Sequence, residues 1–242
     1  MTAFEIAVQD PHGVDVIGRV RPDRIELCAA LSTGGVTPSA GLVDAAVATG
    51  VPVHVLVRPR EGGFDYDSAE KSMIIADVAR AMGQGAAGVV VGGLADGSVD
   101  VDLVRRAQDA AGSGDVTFHR AFDQTVDIFA SLDALMTAGV TRVLTSGARP
   151  SAVEALDVLP ELVARAGGAI QIMAGAGITS LNAAAIAATG VDALHASAKR
   201  AVAERLAVSL GSAAAAGDTG YATTDEDEAV ALRDLLSRGV AS

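Results

Sequence analysis

The sequence predicts a single (βα)8 TIM barrel, and three observations predict it. The chain has 242 residues, close to the roughly 250 that such a barrel takes as one unit. Short apolar, β-branched runs recur at intervals of roughly 20 to 35 residues, the spacing of successive βα units. Helical stripes that end in glycine lie between these runs. The glycine fingerprint that would follow the first strand of an open doubly wound sheet is missing.

Taken in order, the strands are read at Phe4–Val8, Arg24–Cys28, Val53–Val57, Gly88–Val91, Val116–His119, Arg142–Thr145, Ala169–Met173 and Ala193–Ala196. Between them, Ile74, Ile75, Val78 and Met82 form one helical stripe, and Ile128, Leu132, Leu135 and Met136 another. Leu181 and Ile186 mark a weaker, Ala-rich helix, and Ala229, Leu232, Leu235 and Leu236 the last one. Asp67 with Glu70, and Thr224 with Asp227, read as helix-starting caps. Gly50, Gly83, Gly139 and Gly190 close helices ahead of a strand. The whole chain, 1–242, reads as one domain, interrupted by an irregular Ala-, Gly- and Ser-rich segment at about 199–221.

Half of the residues are hydrophobic and only 3% aromatic, with no Trp, so the core must be built from Val, Ile, Leu and Ala. The net charge of −12 argues against nucleic acid as the partner, because phosphate binding depends on Lys and Arg. The lone cysteine, Cys28, excludes an internal disulfide and a zinc site built from cysteine pairs, and fits a reducing cytosol. The N-terminal segment lacks the pattern of a signal peptide, and the apolar runs are too short to span a membrane, so a cytoplasmic location is expected.

Strands of a parallel barrel are buried on both faces, so polar residues inside them call for a reason. Side chains alternate along a strand. With Ile25 and Leu27 facing the helices, Glu26 and Cys28 face the barrel axis. The same parity turns Glu5, Thr117, His119, Met173, His195 and Ser197 inward. His54 comes early in its strand and reads as a low-lying core histidine, and Arg58 is placed to pair with Glu26. The remaining polar residues gather at the C-terminal mouth, where barrels of this kind bind small molecules. In an enzyme reading, Glu5 or Glu26 is the general base and His119 or His195 its acid partner. Arg58, Arg60 and Arg120 would steady an oxyanion or hold a carboxylate, with Ser146 at the end of strand six beside them. The turn through Gly175 and Gly177, helped by Ser197 and Lys199, would cradle phosphate. Isomerase or lyase chemistry on a small phosphorylated or carboxylated metabolite suits this set, and metal-assisted hydrolysis is also open.

Several strings are recognisable: Arg24-Ile-Glu-Leu-Cys28, Gly34-Gly-Val-Thr-Pro-Ser39, Val57-Arg-Pro-Arg60 with Gly62-Gly-Phe-Asp-Tyr66, Thr117-Phe-His-Arg-Ala-Phe-Asp123, Arg142-Val-Leu-Thr-Ser-Gly147 and Met173-Ala-Gly-Ala-Gly177. Together they resemble the CutC family, named copper homeostasis proteins. The resemblance implies a (βα)8 barrel, a cytoplasmic homo-oligomer, a link to copper tolerance and Cu(I) binding through cysteines. Cys28 matches one such cysteine. The other lies in the first strand of better-known members, where this chain has Ala7. Cu(I) prefers soft sulfur, so Met173 is the second candidate ligand, with His119 or His195 as a third.

Overall fold

A computed structural model of the chain describes residues 2–205 and 218–237. Eight parallel strands close into a barrel: β1 Ala3–Val8, β2 Arg24–Leu27, β3 Val53–Leu56, β4 Gly88–Val91, β5 Asp115–Phe118, β6 Arg142–Thr145, β7 Gln171–Gly175 and β8 Ala193–Ala196. Each pairs with its neighbours in chain order, and β8 pairs with β1. The expected strands are all present, with β7 starting two residues later than the hydrophobic run suggests.

The helices are α1 Pro11–Val20, α2 Ala40–Val47, α3 Ser68–Gly83, α4 Val101–Ala111, α5 Ile128–Ala138, α6 Val158–Ala166, α7 Ala183–Ala187 and α8 Glu226–Ser237. Local chemistry sets their starts. Asp10, Ser39, Asp100 and Asp127 accept first-turn N–H groups of α1, α2, α4 and α5, and Asp67 and Glu70 form the full capping box of α3. At α8 the cap is Asp225, whose carboxylate takes the N–H groups of Asp227 and Glu228. Thr224, the expected cap, instead ends a strand and is buried. The Ala-rich helix is also shorter than expected. Leu181 lies ahead of α7 and is 95% exposed, while Ile186 is buried.

Where an irregular segment is expected at about 199–221, Lys199–Arg205 and Asp218–Thr224 pair as an antiparallel ribbon. Residues 206–217 of that segment lie outside the described residues.

Alternation divides the core in two. The outward faces of the strands, with Phe4, Ile6, Ile25, Val55, Phe118 and Ile172 among them, merge with the helices into one aliphatic core. Among the described residues, the barrel interior carries two small apolar clusters, Cys28–Leu56–Val90 and Leu144–Met173–Ala193. Much of the remaining lining is polar, with Glu5, Arg24, Glu26, His54, Thr117 and Arg142 all buried, and this is the basis of the site.

Candidate active site

The parallel register assembles the first part of the site. Glu5 of β1 lies opposite Arg24 of β2 on one side and His195 of β8 on the other. The three side chains form a chain across the barrel: Arg24 Nε donates to Glu5 Oε2 at 2.6 Å, and Glu5 Oε1 meets His195 Nδ1 at 2.7 Å. Burial on its own would raise the Glu5 pKa, but the hydrogen bond and charge of His195, with Arg24 and His54, hold it far below the usual carboxylate range. Burial pulls His195 down, yet Glu26 and Glu5 together raise it above the ordinary histidine value. The two carboxylates thereby favour the protonated form of His195.

Glu26 is 5% exposed and lines a cavity of about 510 Å³ at the C-terminal mouth. Burial, opposed by His195 and reinforced by Glu5, pushes its pKa up to about 7. It makes no pair with Arg58. The Arg58 guanidinium instead donates to the carbonyls of Thr33, Gly35 and Gly62, because the loops after β2 and β3 fold over it. His119 also lines the cavity. Its Nδ1 accepts the Ala121 N–H at 3.1 Å, so the ring proton sits on Nε2. Burial and the Arg58 charge lower its pKa to about 3, so His119 is a neutral imidazole.

The other expected residues fall into two groups. Arg120, Gly177 and Ser197 line the cavity, as does Lys199. Arg120 is braced by Asp123 and Ser146 at 2.8 Å each. The Ser146 hydroxyl bonds Asp123, Arg149 and Arg120 and stays out of the cavity. Gly175 packs: a Cβ there would stand 2.6 Å from Leu144 Cδ1 and 3.4 Å from His195. Arg60 is on the outer surface, tied to Glu70 at 2.5 Å and to loop carbonyls, and has no part in the cavity.

Of the expected phosphate cradle, Gly177, Ser197 and Lys199 line the cavity together with Ala176 and Ile178, while the start of the following helix is otherwise engaged. The Ser180 N–H and hydroxyl are already taken by Glu228, and a strand, not a helix, follows β8.

His54 lies low in the barrel, as expected, against Arg142 and Asp115, and burial lowers its pKa to about 4. Thr117 accepts from Arg142 in the same layer.

The sulfur atoms do not meet. Cys28 is buried against Leu56 and Val90, and burial plus the Glu26 charge push its thiol far up. Met173 belongs to the other apolar cluster, and its sulfur accepts from Arg24 at 3.2 Å. One thiol held protonated is a poor fit to Cu(I). Among the described residues, the one grouping of three His, Cys, Asp or Glu side chains with metal-ligand spacing is Glu5, Glu26 and His195, within 4.8 Å. Both Glu5 oxygens there are already hydrogen-bonded, Oε2 to Arg24 and Oε1 to His195.

Sequence reading missed Arg24 and Asp123. Arg24 shares the parity of Glu26 and Cys28, a signal that was legible. Asp123 lies in a short 3-10 helix, Arg120–Gln124, beyond β5, accepting from Thr145, the Ser146 and Ala148 N–H groups and Arg120, and strand alternation has no bearing on such a position.

Comparison with known proteins agrees with this architecture. Residues 2–200 match the model of the CutC family. A CutC family protein of Sinorhizobium medicae is 44% identical over 179 residues, 73% of each chain. One from Pasteurella multocida is 41% identical over 199 residues, 81% of this chain and 82% of the relative. The solved structure of CutC from Streptococcus agalactiae, named for copper homeostasis, matches with a TM-score of 0.77 at 30% identity, covering 81% of this chain and 99% of that one. With a family model spanning most of the barrel, relatives above 40% identity and the same fold, this chain belongs to the CutC family.

Proposed function

We propose that this chain is a CutC-like copper homeostasis protein whose working part is a small-molecule cavity for proton transfer, not a Cu(I) centre. The observation that carries the reading is the pairing of Glu26 with His195 on the cavity wall. Glu26 titrates near neutrality without a hydrogen-bonded partner among the described residues, while Glu5 hydrogen-bonds its neighbour His195 and, with Glu26, raises that histidine's pKa against burial and the Arg24 charge. Groups with pKa values moved apart in this way serve as base and acid at neutral pH. Ionised Glu26 takes a proton from carbon next to a substrate carbonyl. The C–H electron pair moves into a C=C bond, and His195 supplies a proton to the carbonyl oxygen. Return of the proton to a neighbouring carbon, or loss of a leaving group, completes an isomerase or lyase reaction.

The test is hydrogen–deuterium exchange in D2O, followed by NMR, on small oxo-acids, hydroxy-acids and sugar phosphates. At least one compound is expected to exchange faster than in buffer, and Glu26→Gln should slow that exchange by roughly 100-fold or more. No exchange above buffer across the set would refute the proton-transfer reading. A parallel titration with Cu(I) against a competing chelator is expected to show no stoichiometric tight site. Tight binding that disappears in Cys28→Ala would overturn the assignment of the cavity over the sulfur.

A further inference from the structure

The turn after β7 has its acceptors tied down and its donors free. The Ala176 carbonyl takes the Ala152 N–H at 3.0 Å, and the Gly177 carbonyl takes the Asn182 side-chain amide at 2.8 Å. Among the described residues, the N–H groups of Ala176, Gly177 and Ile178 have no acceptor. Backbone polar groups in folded proteins are ordinarily paired. Ala176 and Gly177 also hold φ values of 84° and 71°, a conformation that strains an alanine and persists where the surroundings impose it. Ala176 is half-buried and Gly177 exposed, so the turn is open to the cavity that it lines.

The next strand brings further donors to the same place. β8 pairs with β7, and Ser197 and Lys199, just beyond β8, line the cavity with the turn. Among the described residues the Ser197 hydroxyl makes no hydrogen bond and the Lys199 ammonium no salt bridge. Ser197 is half-buried and Lys199 exposed, so a ligand can reach both. Arg120 also lines the cavity and keeps its Nη1 free, but Asp123 already balances its charge. Glu228 occupies Ser180 on the helix side of the turn and limits the positive region there.

This donor set selects the ligand. A carboxylate would use two of the donors and leave the rest unpaired. The three terminal oxygens of a phosphate monoester accept several hydrogen bonds each, enough for the N–H groups, the hydroxyl and the ammonium together. Successive N–H groups of a turn beside a lysine are a common way to hold a phosphoryl group. Ser197 lies two residues beyond His195, roughly 7 Å along the chain. A phosphoryl group there stands only a few bonds from a carbon held at Glu26 and His195.

We infer that the cavity takes a short phosphorylated carbonyl compound whose phosphoryl group is received by the turn at 176–178, Ser197 and Lys199. The inference rests on the proton-transfer reading for the end of the ligand that reacts, and names its substrate class.

Binding, read without turnover, tests it. Glycerol 3-phosphate, glycerol and malonate are titrated by calorimetry, in phosphate-free buffer, into the wild type, Ser197→Ala and Lys199→Gln. Amide NMR spectra of the wild type follow the phosphate ester. Saturable binding of the ester is expected, with malonate weaker by about tenfold and glycerol not bound. Lys199→Gln should weaken the ester by about tenfold and Ser197→Ala by about threefold, both at an unchanged melting temperature. The Ala176 and Gly177 amide protons should move downfield as the ester saturates. Malonate or glycerol binding as tightly as the ester, or no saturable ester binding, would overturn the inference. So would ester binding that leaves both variants at wild-type affinity and the two amides unmoved. Ester binding without proton exchange on any phosphorylated carbonyl compound would leave the inference standing and remove the proton-transfer reading. Exchange confined to unphosphorylated oxo-acids, with no ester binding, would do the reverse.

Discussion

Glu5→Gln is expected to lower stability by about 3–5 kcal/mol, the usual cost of leaving a buried charge without its partner. For a chain of this size that corresponds to a melting temperature lower by roughly 10 °C. Glu5 is fully buried and holds both Arg24 and His195, so the substitution leaves the Arg24 guanidinium without an anionic partner. Because the folded-state pKa of Glu5 is depressed, its contribution is present above the ordinary carboxylate value and is lost as pH falls through its own. The deficit of the variant should therefore be large at pH 7 and shrink in strong acid. Adding Arg24→Met to Glu5→Gln should restore part of the loss, since that change removes the orphaned charge as well. Denaturant unfolding of the single and double variants measures both effects. A single-variant deficit below about 1 kcal/mol would mean the Arg24–Glu5–His195 row is not a stabilising unit.

Glu26→Gln should behave in the opposite way and stabilise the protein in mild alkali. The Glu26 pKa rises from 4.5 in the reference state to about 7 in the fold. Between those values the unfolded chain has released its proton while the folded chain still holds it. Rising pH therefore destabilises the wild type across that window, by roughly 3 kcal/mol in all, and the effect levels off above it. Glutamine does not titrate. The variant should match the wild type closely near pH 4.5 and exceed it at pH 8, while losing proton exchange. Melting temperatures of the pair at the two pH values decide the matter. A difference that is the same at both would show that Glu26 is not held neutral by the fold. Stability gained with activity lost is the pattern expected of a strained functional group, and not of a packing residue.

The eight strands and the inward set of polar residues were legible because both follow from periods carried in the chain. Alternation along β2 turns Glu26 inward whatever its neighbours are, and spacing places His195 at the end of the last strand. The capping box at Asp67 and Glu70 is likewise local chemistry. Partnerships are different. Arg58 was expected against Glu26, but the loops after β2 and β3 offer it three carbonyls, and their fold is not periodic. Arg60, two residues on, shares its parity and yet lies outside, because the strand has already ended and alternation no longer applies. The segment after β8 carries no steady period, and pairing between Lys199–Arg205 and Asp218–Thr224, which are separated along the chain, makes the ribbon.

The sequence by itself determined which residues line the barrel, since the hydrophobic period sorts each strand into an outer and an inner face. Only the tertiary structure decided what those residues are chemically. The register of β1 between β2 and β8 brings Arg24, Glu5 and His195 into one row, and burial then makes Glu26 titrate near neutrality while His119 stays uncharged. It also separates Cys28 from Met173 and keeps the thiol protonated. The physical reason is that a pKa depends on the dielectric and charges within a few ångströms, and those neighbours come from strands far apart in the chain.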